Sequence, residues 1–185
     1  MDKVFLDKLK NSTPIIQDLD VYMDADDELR EIADYIKKHN QHNEYIEPER
    51  IKFLYSPKPK KDGGRYVIHD LIKRSEIEKM VNDQYDFILT VFYDVWVKMG
   101  GKEKIILLDK ALCGIEIDVH ENIEVKPKKK SPDSKEYVAN MRMYTPEVVM
   151  NISETVDLDC LQAIEERKEK AKAKKAHEAE TANDI

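Results

Sequence analysis

Apolar residues recur along this chain at spacings of three to four in some stretches and two in others, and the switches between them mark out its elements. Leu29, Ile32, Ala33 and Ile36 share one face of a helix over 26–38, with Asp26 or Asp27 as its N-cap and acidic residues in its first turn. "KKHNQHN" closes that helix with cations and asparagine. "RIKFLYS" (50–56) reads as a strand, "PKPKKDGGR" as a turn with two glycines, and "RYVIHDLI" (65–72) as the strand returning beside it. "RSEIEKMVN" is a short helix. "YDFILTVFYDVWV" opens as a buried strand on Ile88, Leu89, Val91 and Phe92, then turns helical over 94–99 until Gly100 and Gly101 break it.

In "KEKIILLDKALCGIEID" (102–118) a helix runs into a strand. Ile105, Leu108 and Leu112 fall on one face with Ile106 beside them, and Gly114 reads as a left-handed cap. "GIEIDVHENIEVK" alternates like a strand, and a lysine-rich loop leads to "EYVANMRMY", which the pattern pairs with it as a hairpin. Thr145 and Pro146 open another helix as N-cap and first residue. Beyond Asp159, alanine, glutamate and lysine at i, i+4 spacing favour a solvated helix in which only Leu158, Leu161, Ala163 and Ile164 offer packing. The sum is an α+β domain over 26–158, a small mixed or antiparallel sheet with packed helices. It lies between a loosely held N-terminal arm (1–25) and a projecting charged C-terminal helix (159–185).

Composition narrows the classes. Charged residues are 37% and hydrophobic ones 41%, enough for a core under a highly charged surface. No apolar run approaches the roughly 18 residues needed to span a bilayer, and the first twenty residues lack a signal peptide's apolar stretch. Cys113 and Cys160 lie too far apart in sequence to suggest a disulfide framework or a metal knuckle, so a reduced cytosolic protein is expected. A net charge of −7 argues against general nucleic-acid binding. Two basic islands, "SPKPKKDGGR" and "KPKKKSPDSK", are either solvated loops or a patch for an acidic or phosphate-bearing partner. His39 and His42 sit three apart at a helix C-terminus, where imidazoles favour the macrodipole over a metal.

Several of these landmarks together resemble the putative phage metallopeptidase family, a zincin-like fold related in plan to SprT-like proteins. "ELREIADYIKKHNQH" is similar to its first helix, "IKFLYSPKPKKDGG" to its strand and glycine turn, and "YDFILTVFYDVW" to the strand before its active helix. "LLDKALCGIEID" falls where the family places a Leu-Leu-Asp-His-Glu-Leu-Cys-His type segment, and "MYTPEVV" falls near its third ligand. A His-Glu-x-x-His site works because residues four apart share a helix face: two imidazoles hold zinc, and the glutamate activates its water. Here Lys110, Ala111 and Gly114 occupy those positions, and Thr145 and Pro146 stand where a third ligand is expected. An ammonium repels a divalent ion, a methyl takes no proton and a hydrogen binds nothing. No catalytic residue, metal ligand or cofactor is therefore expected.

Three functions remain open. The first is a non-catalytic phage protein that binds a host or phage protein in the host cytoplasm. It would use the helix 26–38, the strand residues Glu116, Asp118 and His120, or the basic residues Lys58, Lys60, Lys61 and Arg65. The second is an enzyme with a rebuilt metal site drawn from Asp109, Cys113, Glu116, Asp118 and His120. The third is a nucleic-acid binder that uses the basic loops.

Overall fold

The computed structural model describes residues 2–9, 12–16, 19–81, 84–119, 125–131 and 137–183. Among these residues the chain runs α1 (Lys3–Leu9), β1 (Met23–Asp24), α2 (Asp26–His39), β2 (Ile51–Ser56), β3 (Lys60–Asp62), β4 (Arg65–Val67) and β5 (His69–Lys73). It continues α3 (Glu76–Val81), β6 (Phe87–Phe92), α4 (Tyr93–Trp96), α5 (Gly101–Leu112), β7 (Ile115–Val119), β8 (Val125–Lys129), α6 (Val138–Tyr144) and α7 (Pro146–Asn183).

The central sheet has the order β1-β2-β6-β5. β2 and β6 run parallel, Ile51 opposite Phe87 and Ser56 opposite Phe92, while β5 lies antiparallel on the far side of β6. The two strands expected to form a hairpin are therefore separated by a third. Burial explains why. β6 buries side chains on both faces, Phe87, Leu89 and Val91 on one and Thr90 and Phe92 on the other, and β2 buries Ile51, Phe53 and Tyr55 on the face it shares with the first three, whereas Leu71 is the one residue of β5 that is buried as a whole. A strand apolar on both faces belongs in the middle of a sheet and a one-sided strand at its edge. The turn at Gly63 and Gly64 instead joins the small ribbon β3–β4, where both glycines take positive φ.

The first helix forms as its spacing predicts, burying Leu29, Ile32, Ala33 and Ile36. Its cap differs. Ala25 is the N-cap residue, and the Asp24 carboxylate accepts the Asp26 N–H at 2.8 Å. Asp26 is turned to the sheet, where it accepts the Phe53 N–H at 2.9 Å and pairs with Lys52 at 2.7 Å.

The expected N-terminal arm is not loose, because α1 buries Leu9 completely and Phe5 stacks on Tyr35. The partner of β7 is β8, within the lysine-rich segment, and "VANMRMY" is the helix α6. Both helices expected after Thr145 are one continuous helix, α7. Its packed stripe is Val149, Ile152, Val156, Cys160 and Ala163, a 3–4 spacing, while Leu158 and Leu161 face solvent. Arg167 ends that stripe with a fork onto the Asp94 carboxylate.

A charged pair is sealed inside this frame. The Lys104 ammonium of α5 lies 2.8 Å from the Glu28 carboxylate of α2, with both side chains almost fully buried. Thr13 and Trp96 also donate to Glu28, at 2.8 and 3.2 Å, and Tyr55 bonds its other oxygen. A buried carboxylate survives when its charge is paired and its lone pairs are used. This one meets both conditions, so it fastens α2, α5 and the sheet together.

Candidate functional site on helix α5

Helix α5 is apolar on nearly every side and buries Ile105, Ile106, Leu107, Leu108, Ala111 and Leu112. Such a helix belongs in the interior, so its polar residues must find partners within the protein. Lys110 and Asp109 do so in different ways.

Lys110 reaches across to α7, where its ammonium donates to Ser153 Oγ at 3.0 Å. His69 of β5 lies in the same neighbourhood. Burial, with Lys110, Lys60 and Lys129 nearby, holds its imidazole down at about 3, and its sealed Nδ1 has no hydrogen-bond partner. One turn beyond Lys110, Gly114 is closed in. A β-carbon there would stand 2.9 Å from the Tyr137 hydroxyl, 3.0 Å from the Ala111 carbonyl oxygen and 3.1 Å from Leu71 Cδ2. Gly114 does not take the left-handed conformation its position suggested. Tyr137, just before α6, and Leu71 of β5 crowd this position, so a larger side chain would require them to shift.

Asp109 is completely buried and caged by amides. Its Oδ1 accepts from Asn40 at 2.8 Å and from Asn43 at 2.6 Å, and its Oδ2 accepts from Asn140 at 2.9 Å. The His42 Nε2 stands 3.4 Å from Oδ1. Cys113, one turn on, brings its sulfur into the same cluster, so that one ligand atom from each of His42, Asp109 and Cys113 lies within 4.8 Å of the others. Burial pushes the Cys113 thiol up to about 12, with the Asp109 charge adding to the effect. Burial and Asp109 also raise the Tyr144 phenol, which accepts from Asn40 at 3.0 Å. A cavity of about 390 Å³ opens beside this cluster, lined by His42, Cys113, Glu116, Lys130, Tyr137 and Arg142 among others.

The residues singled out in the sequence are scattered. Lys58, Lys60, Lys61 and Arg65 are exposed on and beside the β3–β4 ribbon, with Lys60 paired to Asp70 and the Lys61 ammonium 4.9 Å over the Tyr66 ring. Glu116 is exposed on β7 at the cavity rim, and Asp118 sits opposite Lys126 in the β7–β8 register. His120 lies outside the described residues. The acidic helix 26–38 spends Asp26 and Glu28 on internal bonds. His39 and His42 part company: His39 stacks on Tyr35 and bonds its carbonyl at 2.7 Å, while His42 turns to Asp109. Sequence spacing did not reveal this approach of His42, nor the three asparagines. The one trace of His42, Asn40 and Asn43 is the density of asparagine and histidine in "HNQHN", polar residues the fold buries in part, and Asn140 left none.

A family model described as putative phage metallopeptidase matches residues 21–157. No curated protein and no solved structure matches the chain.

Proposed function

The chain belongs to the putative phage metallopeptidase family, and from that premise we propose that it is a non-catalytic member that acts by binding a protein partner in the bacterial host's cytoplasm. One observation carries the reading. The helix positions set against the family's metal-binding motif hold an ammonium bonded to Ser153, a buried methyl, and a glycine crowded by Tyr137 and Leu71. The family implies zinc at that place, and these residues do not fit one. Lys110 brings positive charge where a cation would sit. A histidine at 114 would overlap Tyr137 and Leu71.

The surface proposed for the partner is the exposed basic group Lys58, Lys60, Lys61 and Arg65, which suits an acidic protein face. Two measurements test the reading. Zinc-supplemented protein is expected to leave unfolded casein intact, and hydrolysis that Asp109→Ala abolishes would reverse the assignment. Partner capture from host extract is expected to disappear when the four basic residues become glutamate while the melting temperature is unchanged. Capture unaffected by the charge reversal would remove the ribbon from the interface.

A second reading, nucleic-acid binding, is favoured by one observation: Lys60 of the first basic island pairs with Asp70 of β5, and β8, which carries Lys129 of the second, packs against the same strand, so both islands meet at β5. Affinity that falls steeply with salt and vanishes in the same four-residue variant would favour it.

A further inference from the structure

We infer that His42, Asp109 and Cys113 form a binding site for a single thiophilic divalent cation, with zinc the ion their donor set fits best. The site uses none of Lys110, Ala111 and Gly114 and does not depend on the non-catalytic reading.

The donors are one imidazole nitrogen, one carboxylate oxygen and one sulfur, gathered within 4.8 Å from a segment after α2 and from α5. Zinc bonds of about 2.0–2.3 Å in a tetrahedron separate neighbouring donors by roughly 3.3–3.8 Å. The His42–Asp109 distance is already 3.4 Å. A sulfur donor beside nitrogen and oxygen selects zinc over magnesium or calcium, which take oxygen ligands.

Charge supplies the second argument. The other buried carboxylates are each matched by cations, Glu28 by Lys104 and Asp86 by Arg50 and Lys79. Asp109 is surrounded instead by three neutral amides, and among the described residues its ion-pair partner is His42, charged only when protonated. Amides satisfy a carboxylate's lone pairs but not its charge, and buried charges are paired or bound to metal. The same amides are what a metal-bound carboxylate needs around it, since outer partners fix its orientation.

A third observation points to an absent ligand. Asn140, fully buried and bonded through its Nδ2 to Asp109, has an Oδ1 with no hydrogen-bond partner. An orphaned polar atom inside a protein calls for an ion or a water. The cavity lined by His42 and Cys113 gives a route for entry and space for a fourth ligand from solvent.

The full chain, stripped of metal by chelator and dialysis, is titrated with Co²⁺ as a spectroscopic probe and then with Zn²⁺. The expected result is one equivalent bound, with the visible bands of tetrahedral cobalt and a sulfur-to-cobalt charge-transfer band, both bleached by zinc. Cys113→Ser should remove the charge-transfer band. His42→Ala, a change at a partly exposed ring that leaves the core intact, should weaken uptake at least about tenfold, the loss typical of disturbing even an outer partner of a metal. Lys110→Ala should leave uptake unchanged. Binding without a charge-transfer band, binding that neither His42→Ala nor Cys113→Ser alters, or no stoichiometric binding by the folded protein would each overturn the site.

Discussion

The Tyr137 hydroxyl stands 2.9 Å from where a β-carbon on Gly114 would be, and the same hydroxyl donates to the Lys130 carbonyl at 2.9 Å. A tyrosine of the segment leading into α6 thus plugs the space beyond α5 and ties it to the end of β8. The helix end is specified by what surrounds it, and that makes it sensitive to a single methyl.

Gly114→Ala is expected to cost about 1–3 kcal/mol, the usual range for overpacking a well-filled interior. Urea unfolding measures it. Adding Tyr137→Phe should return part of the loss, since one of the three close contacts is that hydroxyl. A Gly114→Ala protein as stable as the parent would show that the neighbours move aside freely.

The Glu28–Lys104 pair predicts an asymmetric cycle. Lys104→Met alone leaves a buried carboxylate without its cation and should destabilise by about 3–5 kcal/mol. Glu28→Gln together with Lys104→Met removes both charges and should recover much of that. If the double variant is as weak as the sum of the single ones, the pair is not coupled.

His69 makes stability depend on pH. Its folded value lies near 3 and its ordinary value is 6.5, so below 6.5 the unfolded chain binds a proton that the folded protein refuses. Stability is therefore complete above pH 6.5 and declines as pH falls toward 3. Asp86 contributes lower down, because burial raises its carboxyl but Arg50 and Lys79 pull it further below the ordinary 3.8. Denaturant midpoints between pH 7 and 5 should fall in the parent and stay nearly level in His69→Gln. Equal slopes in both proteins would place the imidazole in contact with solvent.

The outer part of α7 should be dispensable. Residues 168–176 are exposed, whereas Arg167 forks onto Asp94 and lies 5.7 Å from the Phe92 ring centre. Truncation after Lys168 is expected to change stability by less than about 0.5 kcal/mol. Arg167→Ala should cost about 1 kcal/mol through the lost ion pair and ring contact. Thermal melts distinguish the two, and a large loss from the truncation would mean that the outer turns pack.

Local signals were read well from sequence, and non-local ones were not. The apolar stripe of α2, the run of β6 and the inward faces of α5 follow from period alone. The pairing of β2 with β6 does not, because "RYVIHDLI" comes first and offers a plausible hairpin. The near-continuous apolar run of β6 is the clue that this strand, and not the one-sided "RYVIHDLI", fills the middle of the sheet. "EYVANMRMY" misleads for a similar reason, since alternation over so few residues fits a strand or a helix. At the site, the four-residue spacing of Asp109 and Cys113 already places both among the candidates for a rebuilt metal site. His42, Asn40, Asn43 and Asn140 reach them only through tertiary folding.

The parallel junction of β2 and β6 also bears on how the chain reaches this state. Ile51 and Phe87 are separated in sequence by the ribbon, β5 and α3, so closing the sheet costs loop entropy before any ladder bond repays it. Until β6 arrives, β5 is free to zip onto β2 in the arrangement the sequence itself suggests. Such a pairing would have to dissolve for the middle strand to enter, and the expected outcome in stopped-flow refolding is a slow phase that mild denaturant accelerates; single-exponential refolding with a linear folding limb would show that it does not form.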